Sequence, residues 1–255
     1  MTGAPENRLK TALKAGQVQC GMWVASTSPI IAELCGHIGF DWCLVDMEHS
    51  PNDAMSMAAQ LQALASTPTQ AVVRVIASQD WLIKQALDAG AQTILVPLVN
   101  TADEAARVAA AMRYAPEGTR GMGAALARAS QFSMRSDYVA TTNAQVCCLV
   151  QAETREALEN LEAIVATDGV DGVFIGPADL SADMGYPGQP DHPEVVFAIN
   201  EAIATITKAG KIAGTLNFDP DKVPALRDQG VTFLGVGAET ITLVQGLTAL
   251  RNAVR

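Results

Sequence analysis

The feature of this sequence that most limits its fold is a regular alternation of two kinds of segment. Short apolar segments of strand length, rich in β-branched residues, are separated by alanine-rich segments of helical length. This alternation is typical of βα units around a parallel sheet. The predicted strands cover 18–26, 42–48, 71–76, 93–99, 146–153, 172–178, 212–217 and 233–238. The predicted helices include 53–65, 80–89, 102–112, 155–166, 193–209, 220–228 and 240–254.

Signals for helix ends support this assignment. Asp53 and Asp80 stand where N-caps are expected, because a short acidic side chain can accept hydrogen bonds from the first free N–H groups. Pro29, Pro193 and Pro220 stand in first-turn positions, where the missing N–H of proline costs nothing.

The number of repeats selects between two architectures. Eight strands in 255 residues predict a (β/α)8 TIM barrel that forms a single domain over residues 1–255. A doubly wound open sheet shows the same alternation and is the alternative. The sequence GVGAET at 235–240 lacks the third glycine of the dinucleotide-binding fingerprint, which favours the barrel.

One long segment, 116–133, does not fit the alternation. It is rich in glycine at its start and contains Arg120 and Arg128. A loop of this length in a compact domain is usually a lid or a binding loop. Arg120 could bind the distal carboxylate of a ligand or brace the loop, and the sequence favours neither.

Composition excludes several classes of partner. The formal net charge of −10 argues against nucleic acid or an anionic membrane surface. No apolar run approaches the ~18 residues that span a bilayer, and the polar N-terminal segment shows no targeting signal, so we expect a cytoplasmic protein. Three of the five cysteines, Cys43, Cys147 and Cys148, lie in apolar runs and are expected to be reduced core thiols.

Two carboxylates end neighbouring predicted strands. Glu153 ends the fifth strand and Asp179 follows the sixth, and in a barrel the active site lies at the carboxyl ends of the strands. Two carboxylates with open positions suit a hard divalent cation such as Mg²⁺ or Mn²⁺. Capping of a helix or pairing with an arginine is the alternative for this pair.

An arginine in an apolar strand is the next candidate. Arg74 lies among valines of the third strand, where burial requires a counter-charge. Asp46 and Glu48 share one face at the end of the second strand. Arg74 is therefore either in a structural ion pair with one of them or a fixed cation for an anionic ligand.

His49 is the histidine best placed for proton transfer. It lies at the carboxyl end of the second strand, whereas His37 and His192 are expected to be structural or solvated. An imidazole there can act as a base near neutral pH. The alternative is a histidine that only braces the loop.

The lysines argue against one kind of carbonyl chemistry. None is placed at the carboxyl end of a predicted strand, where a nucleophile that forms a Schiff base would have to lie. Stabilisation of an enolate by a metal remains open.

Four segments resemble the metal-dependent (class II) pyruvate aldolases. They are FDWCLVDMEHSP at 40–51, PEGTRGMG at 116–123, VQAET at 150–154 and VFIGPADLSADMG at 173–185. The resemblance covers nearly the whole chain. It implies a (β/α)8 barrel, a hexamer built from dimers that exchange their last helix, and a divalent metal ion (Mg²⁺, Mn²⁺ or Co²⁺).

The resemblance also assigns roles to individual positions. Glu153 and Asp179 resemble the metal ligands, and His49 resembles the catalytic base. Arg74 resembles the residue that stabilises the enolate. The residues expected to contact substrate are Arg74, Gln151, Gly176, Pro177, Ala178, Asp179 and Leu216.

Asp88 resembles the acid that raises the basicity of the histidine. It lies about eight residues into the helix after the third strand, which places it roughly 12 Å from the start of that helix. We therefore expect any contact with His49 to come from a neighbouring subunit. The alternative is a solvated aspartate at a helix end.

The reaction that the resemblance implies is reversible retro-aldol cleavage of 4-hydroxy-2-oxo acids. 4-Hydroxy-2-oxoheptanedioate, for example, would give pyruvate and succinate semialdehyde. Sugar-acid substrates, hydroxypyruvate as the donor, and decarboxylation of oxaloacetate are alternatives. A barrel that binds a metal–oxoacid complex without catalysis is the least favoured.

Overall fold

The computed structural model describes residues 2–255 and confirms the predicted (β/α)8 architecture. Eight parallel strands form a closed barrel in which each strand pairs with its neighbours in sequence, and β1 pairs with β8. The strands are β1 (Gln19–Val24), β2 (Trp42–Asp46), β3 (Gln70–Arg74), β4 (Thr93–Val96), β5 (Cys147–Ala152), β6 (Gly172–Ile175), β7 (Ile212–Leu216) and β8 (Val231–Ala238).

Helices surround the barrel. They are α1 (Arg8–Lys14), α2 (Pro29–Ile38), α3 (Ala54–Leu64), α4 (Asp80–Ala89), α5 (Ala102–Met112), α6 (Tyr138–Thr142), α7 (Arg155–Glu159), α8 (Leu161–Ala166), α9 (Pro177–Asp183), α10 (Pro193–Lys208), α11 (Val223–Asp228) and α12 (Glu239–Ala253). In residues 2–255 no helix is both long enough and apolar enough to cross a membrane.

The side chains inside the barrel fill its lower part. Trp23, Trp42, Phe174 and Phe233 contact one another, with ring centroids 4.2–6.2 Å apart. A Cβ on Gly21 would lie 1.9 Å from the Trp42 ring, so only glycine leaves room for the indole there. Aromatic packing of this kind makes the interior a core rather than a pore.

The amino-terminal end of the barrel is closed by α1. Leu9 and Leu13 of this helix are buried and pack against the aromatic cluster. The sequence did not predict α1, because a segment of seven residues is too short to give a clear helical period. The carboxyl-terminal end is therefore the open end of the barrel.

Seven of the eight predicted strands extend past the observed carboxyl ends. The strands predicted over 18–26, 42–48, 71–76, 93–99, 146–153, 172–178 and 212–217 end at Val24, Asp46, Arg74, Val96, Ala152, Ile175 and Leu216. β6 ends early because of Pro177. This proline has no N–H to donate to the sheet and instead occupies the first turn of α9. Asp179 therefore lies in the first turn of a helix and not at a strand end.

Two helix predictions also needed correction. The predicted helix 155–166 is interrupted at Asn160, whose side chain donates to the Asn100 carbonyl at 2.9 Å. Asp53 is an N-cap as predicted, but Gln79 and not Asp80 takes that position in α4. Cys43, Cys147 and Cys148 are free and buried, which confirms the predicted reduced thiols, and Cys35, for which no prediction was made, is free and buried as well.

Candidate active site

Alternation along the strands places polar side chains directly above the apolar interior. Leu44 and Val72 pack inside the barrel, and Asp46 and Arg74 follow them two residues later on the same face. Asp46 and Arg74 are also register partners in the β2–β3 pair. The open end of the barrel thus begins with a layer of charged groups.

Arg74 lies in a buried ion pair. Its Nε donates to Asp46 Oδ1 at 2.8 Å and its Nη2 donates to Asp46 Oδ2 at 2.6 Å. Its Nη1 lies 2.9 Å from Glu48 Oε2. The predicted ion-pair alternative is therefore present, with both of the expected carboxylates. The two hydrogen bonds to Asp46 use two of the five guanidinium N–H groups, so N–H groups remain for a ligand.

The surroundings of Arg74 hold it in its charged form. Burial alone would lower the pKa of Arg74, but the hydrogen bonds and charge of Asp46 and the charges of Glu48 and Glu153 raise the pKa above its ordinary value. The guanidinium also lies 5.9 Å from the centre of the Trp23 ring. Arg74 is a fixed, rigid cation at the floor of the site.

Glu153 follows β5 and is buried, with 2% of its surface exposed. Its Oε1 accepts a hydrogen bond from the Leu98 backbone N–H at 3.0 Å, and its Oε2 accepts one from Gln151 Nε2 at 2.6 Å. Leu98 has φ +52°, a left-handed conformation that is costly for a residue with a side chain. In this conformation the Leu98 N–H points at the Glu153 carboxylate.

Burial among other acids raises the pKa of Glu153 to about 7. Desolvation is the main cause; the Leu98 N–H opposes it, and the charges of Asp179 and Glu48 raise the pKa further. Burial likewise raises the pKa of Glu48, and Asp46 and Asp179 add to the shift. Three carboxylates, of Asp46, Glu48 and Glu153, therefore act on the guanidinium of Arg74, and Asp179 lies close enough to Glu48 and Glu153 to raise the pKa of both.

This donor set fits a hard divalent cation. All the side-chain donors are carboxylate oxygens, which Mg²⁺ and Mn²⁺ prefer over nitrogen or sulfur. The described residues contain no group of three or more His, Cys, Asp or Glu side chains arranged to hold a metal ion. Because Mg²⁺ takes about six oxygen ligands, a Mg²⁺ ion held by Glu153 and Asp179 alone would keep positions for water and substrate.

Gly176 keeps the space beside Glu153 open. A Cβ at this position would lie 2.3 Å from Glu153 Oε2 and 3.2 Å from Glu153 Cβ. The φ of Gly176 is −87°, so alanine suits the backbone and its only cost is the contact with Glu153.

We expect Gly176→Ala to displace the Glu153 carboxylate and to weaken Mn²⁺ binding about 10- to 100-fold. The melting temperature should change little, because the backbone conformation is unaltered. Titration calorimetry with Mn²⁺ measures the affinity. Gly246→Ala is the matched control, since a Cβ there meets nothing within 4 Å. Wild-type affinity in Gly176→Ala would contradict this role for Gly176.

His49 lies beside this cluster on the loop between β2 and α3. Its side chain is 62% exposed, and its Nε2 lies 3.7 Å from Glu48 Oε2. The imidazole is thus open to solvent while an acid neighbours it on one side. This arrangement suits a proton acceptor that meets a substrate entering from the open end.

Asp88 lies apart from this group within the chain. Its Oδ1 accepts a hydrogen bond from Arg120 Nη2 at 2.6 Å. Arg120 is fully buried and lies 4.4 Å from the centre of the Tyr114 ring. Within one chain, Arg120 therefore braces the 116–133 segment against the end of α4. No hydrogen bond or ion pair among the described residues links Asp88 to His49 of the same chain.

The remaining predicted residues line the same end of the barrel. Gln151 is buried on β5, and its Oε1 has no hydrogen-bond partner among the described residues. Gly176, Pro177 and Ala178 form the cap and first turn of α9, where no side chain caps the helix. Leu216 ends β7 and packs against the interior cluster.

Sequence reasoning missed two contributors to this site, Trp23 and Leu98. Their contacts with Arg74 and Glu153 depend on strand and loop geometry. Leu98 could have been singled out only through its place after Pro97 at the end of a strand.

The chain is similar in sequence to one family model and to aldolases from other bacteria. The family model for HpcH/HpaI aldolase/citrate lyase matches residues 19–246. A hydroxypyruvate/pyruvate aldolase from Agrobacterium fabrum is 51% identical over 97% of this chain and 93% of its own. A 4-hydroxy-2-oxo-heptane-1,7-dioate aldolase from Shigella sonnei is 50% identical over 96% and 94%.

A solved structure gives the same answer for the fold. The crystal structure of an HpcH/HpaI aldolase/citrate lyase family protein from Burkholderia cenocepacia superposes with a TM-score of 0.94 and is 38% identical, covering 98% of this chain and 99% of its own. These findings confirm the predicted resemblance and the enzyme class, an aldolase-type carbon–carbon lyase. The chain belongs to the HpcH/HpaI aldolase/citrate lyase family.

Proposed function

We propose that the protein catalyses reversible retro-aldol cleavage of 4-hydroxy-2-oxo acids to pyruvate and an aldehyde. The observation that carries this proposal is the cluster of carboxylates around Arg74 at the open end of the barrel. 4-Hydroxy-2-oxoheptanedioate, which gives succinate semialdehyde, is the first candidate substrate, because a relative that is 50% identical to this chain is named for it.

A divalent ion held by Glu153 and Asp179 would stabilise the negative charge of the enolate as a Lewis acid. Mg²⁺, Mn²⁺ and Co²⁺ are the candidates. The oxygen-only donor set and the space beside Gly176 support this assignment.

The chain's own residues divide the remaining work. His49 takes the proton of the 4-hydroxyl group, and the C3–C4 bond breaks so that its electron pair passes to C3 of the pyruvate part. The free N–H groups of Arg74 face the charge that develops on the enolate oxygen. Gln151 and the first turn of α9 at Ala178 orient the oxoacid. A proton returned to C3 completes pyruvate.

Asp88 is proposed to act on His49 of a neighbouring subunit. Its pairing with Arg120 at the edge of the exposed 116–133 segment is compatible with that role, since Met122 and Leu126 of this segment are largely exposed. An Asp88→Asn variant should then lose activity without a change in the metal affinity of Glu153 and Asp179.

We expect the purified protein to cleave 4-hydroxy-2-oxoheptanedioate, with pyruvate measured through lactate dehydrogenase. Exhaustive chelation should abolish turnover, and Mg²⁺, Mn²⁺ or Co²⁺ should restore it, because the enolate charge needs the cation. Zn²⁺-free buffers with each ion added singly provide the control. Full activity after chelation would contradict the proposed metal, and inactivity on every 4-hydroxy-2-oxo acid would contradict the aldolase reaction.

Hydroxypyruvate as the donor is the second candidate, since relatives of equal identity are named hydroxypyruvate/pyruvate aldolases. Comparing pyruvate and hydroxypyruvate as donors with a panel of aldehydes decides between them. Oxaloacetate decarboxylation needs no base for an alcohol, so a His49→Ala variant should retain it while losing aldol cleavage.

We further propose that the protein is a homo-oligomer, a hexamer built from three dimers whose subunits exchange α12. Glu239 is the only buried residue of this helix among those described, and Ile241, Leu243, Val244, Leu247 and Leu250 are exposed apolar residues. An apolar stripe of that size needs a cover. Light scattering should give about six times the chain mass, and Leu247→Asp should reduce it.

A further inference from the structure

Two amide side chains, of Asn52 and Gln60, form a hydrogen-bond network that holds the loop carrying His49. It runs from Asp46, at the end of β2, to Asp53, the N-cap of α3. His49 itself is mostly exposed, and its only ion-pair neighbour among the described residues is Glu48. The position of the imidazole is therefore set by the backbone of this loop.

Asn52 holds that backbone. Its Nδ2 donates to the Asp46 carbonyl at 2.7 Å and to Ser50 Oγ at 2.9 Å. Ser50 Oγ in turn donates to the same Asp46 carbonyl. One amide group thus clamps both sides of His49, because it bonds to the residue that follows His49 and to the residue three positions before it.

The other end of the Asn52 amide is tied to α3. Its Oδ1 accepts hydrogen bonds from Gln60 Nε2 at 2.6 Å and from Ser56 Oγ at 2.9 Å. With both donors and both acceptor positions used, the Asn52 side chain has a single orientation. Its donors face the loop, and its acceptors face the helix.

Gln60 is the unusual member of this network. It is fully buried, on the face of α3 that also carries Met57, Leu61 and Leu64. Its Oε1 has no partner among the described residues. A buried amide with an unsatisfied oxygen costs stability that leucine at the same position would not cost. Gln60 Nε2 donates two hydrogen bonds, one to the Ser56 carbonyl at 3.0 Å within α3 and one to Asn52 Oδ1 at 2.6 Å, and only the second connects α3 to the amide that holds the His49 loop.

We propose that Asn52 and Gln60 are positioning residues that hold the His49 loop for proton transfer. This inference rests on the proposed aldol reaction. Loosening the loop moves the imidazole. The Asp46 carboxylate keeps its two hydrogen bonds from Arg74, although the carbonyl of the same residue is the acceptor for Asn52. Glu153 is held independently, by Gln151 and the Leu98 N–H. A shift of about 1 Å in a reacting group can cost about 100-fold in rate.

The test compares Asn52→Leu and Gln60→Leu with Gln62→Leu, a matched control on the exposed face of the same helix. We expect kcat for aldol cleavage to fall about 10- to 100-fold in the first two variants. Metal-assisted oxaloacetate decarboxylation, which uses no base for an alcohol, should stay within about twofold of wild type. Gln60→Leu should melt no lower than wild type. Gln62→Leu should match wild type in both reactions.

A second measurement does not depend on turnover. The imidazole NMR signals of His37, His49 and His192 can be followed in each variant, with His49→Gln identifying the His49 signal. The His49 signal should move in Asn52→Leu and Gln60→Leu while the other two stay. Unchanged aldol cleavage, equal loss of both reactions, or an unmoved His49 signal would overturn the inference. Absence of aldol activity in the wild type would instead overturn the proposed function, while the NMR comparison still reports on the loop.

Discussion

Replacing Arg74 by alanine is expected to lower the kcat of retro-aldol cleavage by about two to three orders of magnitude. The guanidinium is buried beside the proposed metal ligands, so its charge is worth far more to a developing oxyanion than it would be in water. KM should change less than kcat, because the oxyanion forms only as the C–C bond breaks. Steady-state kinetics with saturating metal measure both constants.

The same substitution leaves Asp46 and Glu48 without their cation. Breaking a buried ion pair from one side typically costs about 3–5 kcal/mol, so Arg74→Ala must first be shown to fold by circular dichroism and thermal melting. Arg74→Lys keeps a charge but cannot make the bidentate contact with Asp46. We expect it to remain folded and still to lose at least about 10-fold in kcat. Near-wild-type turnover in either folded variant would exclude Arg74 from the reaction.

Replacing Glu153 by glutamine is expected to abolish metal-dependent turnover while making the metal-free protein more stable. Glutamine keeps the shape but removes the charge that would hold the cation. The folded-state pKa of Glu153 is about 7, above the ordinary value of 4.5, so the folded protein favours the protonated carboxyl group. The stabilisation that this preference gives is fully present below pH 4.5 and is lost as the pH rises through 7.

At pH 8 and after chelation, Glu153→Gln should therefore be more stable than wild type, by on the order of 3 kcal/mol. At pH 4 the difference should nearly vanish, because Glu153 is then protonated in both states. Urea denaturation at the two pH values measures the free energy of unfolding. Asp179→Asn is the useful comparison, since it removes the charge of an exposed carboxylate beside Glu153. A destabilised Glu153→Gln at pH 8 would contradict this account of the carboxylate cluster.

The barrel and much of the charged layer were predictable, because both depend on patterns that are local in sequence. The alternation of strand and helix segments repeats eight times, and each repeat can be read without its neighbours. The pairing of Arg74 with Asp46 and Glu48 follows from side-chain alternation on two adjacent strands. The family resemblance added the roles of Glu153, Asp179 and His49, which remain proposals.

What could not be predicted depends on contacts between distant segments. The Leu98 N–H meets Glu153 across 55 positions of sequence, and only the folded loop after β4 brings them together. Gln60 looked like an ordinary helical residue, because nothing in its spacing distinguishes an amide that bonds to Asn52 from one in solvent. Pro177 is different, because its effect is local: proline suits the first turn of a helix, as in α9, and its presence argues against the predicted strand over 172–178.

The closure of the barrel by α1 has a consequence for the order of events in catalysis. Leu9 and Leu13 close one end of the barrel and aromatic rings fill its interior, so substrates and products can enter and leave only through the carboxyl-terminal end. Gln151 and Glu153 lie buried below this open end, whereas His49 is exposed at its rim. Under the proposed reaction the aldehyde therefore departs first and pyruvate last, and in the synthetic direction the oxoacid must be seated before the aldehyde arrives.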